Sequence, residues 1–185
     1  MGLMLVIAIA AVALIWGIMI FNALVNGRNQ VAAAWSDIDV QLQRRHDLIP
    51  RLVEAVRGYA AYERATLEAV TELRARSSSA SRVGEIAELE QQIETGVRRL
   101  LALAESYPDL KANENFLALQ KDLTEIEDHL QYARRFYNGA VRNLNTRVQS
   151  FPDLLVARSS GFDEAEFFDA EPDAEAPIKI DMSRA

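Results

Sequence analysis

The chain has 185 residues, no cysteine, 27 acids against 20 Lys and Arg, and a net charge of −7. The residues beyond the first 27 amount to one domain, and the lack of cysteine excludes disulfides, thiolate zinc sites and cysteine nucleophiles. Seven of the acids lie between Asp163 and Glu175, which leaves the rest of the chain balanced and without the basic stripe that nucleic-acid binding requires, so no nucleic-acid partner is expected.

The first element is the uncharged run "LMLVIAIAAVALIWGIMIFNALV" from Leu3 to Val25. As a helix it reaches about 35 Å, enough for a bilayer core of about 30 Å. It lacks the basic start of a signal peptide and exceeds the usual length of that peptide's apolar core. A single-pass anchor over residues 1–27 is therefore predicted, with the lipid bilayer as its partner. Arg28 follows the run and no Lys or Arg precedes it. That places the bulk of the chain on the cytoplasmic side, although one residue leaves the opposite orientation open.

The body, residues 28–158, reads as all-α: an antiparallel bundle of three to four long helices. Its first seam is Val31, Trp35, Ile38, Leu42, then Ile49, Leu52, Val56 and Tyr59, in coiled-coil-like steps of four and three broken only at Arg45. The stretch "SSSASRVG" (77–84) reads as a flexible loop. A second seam runs Ile86, Leu89, Ile93, Leu100, Leu103, Tyr107, missing a step at Gly96 and stopped by Pro108. The third runs from Phe116 to Phe151 and is stopped by Pro152.

If the first helix continues from Arg28 to about Arg76 it is about 70 Å long, and the second, at about 33 Å, cannot cover it. Val31, Trp35, Ile38 and Leu42 then need another cover. Either the chain folds back at Pro50, or neighbouring copies pack around a stalk; seam continuity across Pro50 favours the copies, and hence a homo-oligomer.

Pro50 removes the hydrogen bond to the His46 carbonyl and bends the helix at the turn holding Arg44, Arg45 and Asp47. The expected reading of this cluster is structural: a kink whose freed carbonyl is hydrated or bonded by a side chain, with Arg45 paired to an acid such as Glu125 or Asp128. A metal or acid-base site built on His46, Asp47, Asp128 and His129 is the weaker alternative, because the two histidines lack any metal-ligand spacing. No phosphate loop or nucleophile elbow is present, so no enzyme and no cofactor are expected.

The tail, 159–185, is acidic yet carries Phe162, Phe167 and Phe168. These are expected to anchor it on a basic, apolar groove of protein, mainly on a neighbouring copy. "PIKIDM" (177–182) alternates as a short strand would.

Three stretches, "FNALVNGRNQVAAAWSDIDVQLQRRHDLIPRLVEAVRGYAAYE" (21–63), "AESYPDLKANENFLALQKDLTEIED" (104–128) and "RRFYNGAVRNLNTRVQSFPDLLVA" (134–157), resemble the LemA family. The resemblance covers the chain from the anchor to about Arg158, with Phe21 where Tyr is usual. It implies a bacterial plasma-membrane protein with a helical bundle and no established catalytic residues, some of whose relatives are associated with membrane organisation and shaping. The function expected is a membrane-anchored, self-associating scaffold or adaptor that organises or remodels membrane or contacts other membrane proteins. A membrane-tethered signalling module is the alternative, and a metal-dependent hydrolase a weaker one.

Overall fold

A computed structural model describes residues 1–59 and 63–168. Helix α1 (Gly2–Arg57) runs without a break through Pro50, about 84 Å from end to end. It is followed by α2 (Arg64–Ser79), α3 (Val83–Leu103), a 3-10 turn (Ala104–Ser106), the single turn α4 (Pro108–Lys111), α5 (Glu114–Gln149) and α6 (Asp153–Ser160). No strand occurs among the described residues. "PIKIDM" lies outside them.

Alternation of direction makes the bundle. Helix α2 folds back along α1, α3 returns parallel to α1, and α5 runs antiparallel to it, so four helices enclose the end of the body far from the anchor. There Ile49, Leu52 and Val56 of α1 meet Leu67 and Val70 of α2, Ile93 and Leu100 of α3, and Phe116 and Leu123 of α5. A middle core joins Ala34, Ile38 and Leu42 to Ile86, Leu130, Tyr137 and Phe168. A third, next to the apolar first part of α1, joins Ile20 and Leu24 to Leu144, Val148, Ala157 and Phe162.

Two boundaries differ from expectation. The first helix ends at Arg57, not Arg76, and Gly58 is the only local signal for that break. Three of the four serines do not form a loop: Ser77–Ser79 close α2, and the hydroxyls of Ser78 and Ser79 donate back to the carbonyls of Arg74 and Arg76, both at 2.9 Å, and so find partners inside the helix. Only residues 80–82 link α2 to α3. Pro108 and Pro152 stop the preceding helices as expected and also begin the next ones. Asn113 caps α5, accepting from the N–H groups of Asn115 (3.0 Å) and Phe116 (3.2 Å).

The missing step at Gly96 marks the α2–α3 crossing. A Cβ added there would fall inside van der Waals contact with Val70 Cγ2, and a valine side chain has little freedom to turn away. Gly96→Ala is therefore expected to lower stability by about 1 to 3 kcal/mol through overpacking, outweighing the roughly 1 kcal/mol by which alanine favours a helix. Urea unfolding checks this; an unchanged or higher midpoint would mean that the crossing is not tight.

Candidate functional site

Arg45, the exception in the first seam, is the centre of a buried ion cluster that ties the four helices together. Its Nη1 donates to Glu90 Oε2 of α3 at 3.2 Å, and its Nη2 donates to Glu127 of α5. The other Glu90 oxygen is 2.7 Å from His46 Nε2 and accepts from the Ser77 hydroxyl at 2.6 Å. Glu90 is fully buried and Arg45 only 3% exposed. Burial alone would raise the Glu90 carboxyl, but the hydrogen bonds from His46 and Ser77 and the charges of His46 and Arg45 hold it below the usual carboxylate range. Burial lowers the Arg45 guanidinium, with Glu90 opposing.

The carbonyl freed by Pro50 has a partner of its own: Arg74 Nε donates to His46 O at 2.7 Å, bridging α2 to α1 one turn before the proline. Arg44, Asp47 and Pro50 lie on the exposed side of α1 and take no part in the ion cluster. The acids paired with Arg45 are Glu90 and Glu127, not Glu125 or Asp128. Glu127 sits between Leu123 and Leu130 on the inward side of α5, whereas Glu125 is 65% exposed and lies 3.7 Å from His129. Glu90 was legible in principle, lying four residues after Ile86 and three before Ile93 in the second seam. Among the described residues no group of three or more His, Asp or Glu is placed to hold a metal ion.

Val31, Trp35, Ile38 and Leu42 are covered within one chain, so the expected need for neighbouring copies falls away. Ile38 is fully buried and Leu42 4% exposed, and the Trp35 ring stacks edge-on against Tyr137 (5.6 Å) and tilted against Phe168 (5.9 Å). The cover is α5, whose 36 residues reach about 54 Å. The shorter α3, 21 residues long, could not provide it.

The rest of the cover is the tail. Gly161, at φ 69°, turns the chain back after α6, and residues 162–168 lie in the groove between α1 and α5. Asn145 clamps Ala165 from both sides, its Nδ2 donating to the carbonyl (3.0 Å) and its Oδ1 accepting from the N–H (2.8 Å). Tyr137 Oη donates to the Glu166 carbonyl at 2.9 Å, and Asn138 Oδ1 accepts from the Phe168 N–H at 2.9 Å. Phe162 is buried under Arg28, Phe168 is buried under Arg134, and Phe167 is half-buried. The groove is basic and apolar as expected, but it belongs to the same chain. A two-helix stretch leaves an open flank that a single extended segment fills.

The first part of α1 is long and apolar enough to cross a membrane: its most apolar 18-residue window has mean hydropathy 2.9 and is 6% buried. Leu3, Leu14 and Met19 are among its exposed side chains. A lipid-length helix that continues as the spine of a helical bundle defines a membrane-associated helical protein.

The chain belongs to the LemA family, whose sequence profile matches residues 34–182. It is 26% identical to the magnetosome protein MamQ 2 of Paramagnetospirillum magneticum, over 96% of this chain and 75% of that protein. Identity to the magnetosome protein MamQ of Magnetospirillum gryphiswaldense is 24%, over 87% of this chain and 69% of the relative. The protein LemA of Metamycoplasma hominis is 26% identical, over 80% of this chain and 68% of the relative.

Proposed function

We propose that this protein is a non-catalytic membrane scaffold: a single-pass anchor in the bacterial plasma membrane carrying a rigid helical rod, most of it on the cytoplasmic side, that self-associates and organises membrane or membrane proteins. The observation that carries the reading is the unbroken α1, which is at once the apolar anchor and the spine of all three cores. With no linker between lipid and bundle, a force or an orientation at one is transmitted to the other. The magnetosome relatives fit a role tied to membrane structures.

Self-association is assigned to the outward side of α5 and not to the buried seam. Tyr132 (67% exposed) and Phe136 (62%) stand there one turn apart, with Arg135 stacked over Tyr132 at 4.7 Å. Exposed aromatics beside an arginine are the composition of interface anchors. Tyr132→Ser combined with Phe136→Ser is expected to reduce the particle mass of the detergent-extracted protein to that of one chain while helical content stays the same. Wild-type particles holding a single chain would contradict the self-associating scaffold.

A further inference from the structure

We infer that the corner between α5 and α6 is a second membrane contact, in which Phe151 and Leu155 enter the phospholipid headgroup and acyl boundary of the leaflet from which α1 emerges. Phe151 is 78% exposed and Leu155 62%, and no described part of the chain covers them. Their height follows from helix register. A Cβ at Gly27 would lie 3.2 Å from Leu144 Cδ1, so those residues are level where α1 and α5 cross. Phe151 comes seven residues after Leu144, about 10 Å further toward the anchor, which brings it level with Ile20.

Two packing facts hold the corner there: the Phe162 ring lies 5.7 Å from Phe21, and Ala157 of α6 is buried with Ile20 and Leu24. Along α1 the first amide side chain is Asn22 and the first charge Arg28. The change from hydrocarbon to water therefore falls at about residues 20–28, and Phe151 stands at its apolar edge.

The chemistry fits lipid better than protein. The apolar pair stands at the level of the apolar run of α1, and the exposed Arg142 and Arg158 are suited to phosphate headgroups. Asp153, the acid between Phe151 and Leu155, is neutralised by Arg147 at 3.1 Å. Fixed at two points, the rod would keep one tilt and one face toward the membrane.

The contact rests on the reading of α1 as a membrane anchor, and the test separates the two. Single cysteines introduced into the full-length, cysteine-free chain at Phe151, Leu155, Leu14 and Leu117 are labelled with a polarity-sensitive fluorophore and reconstituted in phosphatidylcholine–phosphatidylglycerol nanodiscs bearing nitroxide lipids. Labels at 151 and 155 are expected to shift to the blue and lose most of their emission to shallow nitroxides, 14 to deep ones, and 117 to neither. Quenching at 14 alone would overturn the corner contact and keep the anchor. No quenching at any position would overturn both. Pyrene excimers between labels at 151 would show a second copy on the corner and also overturn the lipid contact.

Discussion

Arg45→Ala should lower the free energy of unfolding by about 3 to 5 kcal/mol, because it takes from the buried Glu90 and from Glu127 the guanidinium they share. Breaking the pair is costly even though the intact pair contributes little net stability over an apolar one. The double change Arg45→Met with Glu90→Leu should therefore recover only part of the loss, because Glu127 stays without its guanidinium and His46 and Ser77 lose their carboxylate partner. Urea unfolding followed by circular dichroism in detergent measures both. A single mutant within about 0.5 kcal/mol of the wild type, the range of ordinary surface changes, would show that solvent reaches the cluster.

The same carboxylate sets an acid limb. Its pKa in the folded protein is depressed below the unfolded value, so its contribution is fully present above the unfolded carboxylate pKa and is lost as pH falls through the folded value. Glu90→Gln should flatten that part of the pH profile. An unchanged acid limb would assign it to other carboxylates.

Phe168→Ala should cost about 3 to 5 kcal/mol, the range for a buried phenylalanine, since the ring is fully buried against Trp35 and beneath Arg134. In a Trp16→Phe background Trp35 reports the loss directly: uncovering it should shift its fluorescence to the red. Because the tail segment 162–168 lies on its own chain, protection of residues 161–168 from proteolysis should not change on dilution. Protection that disappears on dilution would restore the intermolecular tail.

The long apolar start of α1, the seams, the proline stops and the polar role of Arg45 were legible because each is a local departure from a regular pattern. Pro50 alone predicts a freed carbonyl, and Arg74 supplies the partner. What escaped were facts about pairs of distant elements. Arg45 does not reveal from its own surroundings that Glu90, 45 residues away, will face it. The seam at Val31–Leu42 looks orphaned until the length of α5 is set against it. The tail phenylalanines announce burial, but whose groove they fill depends on the open flank of a two-helix stretch and on Asn138 and Asn145, which in sequence are ordinary polar residues of a long helix. The break at Gly58 was the weakest signal, since a lone glycine in a helical pattern is commonly tolerated.

The central claim, that anchor and body are one stiff unit, is tested by electron–electron spin distances between labels at Leu14→Cys and Glu54→Cys in nanodiscs, with labelled protein diluted by unlabelled protein. The residues lie 40 apart on α1, so a single narrow distribution near about 60 Å, the value for a continuous helix, is predicted. A broad distribution centred well below that distance would place a hinge between membrane and bundle and contradict the account.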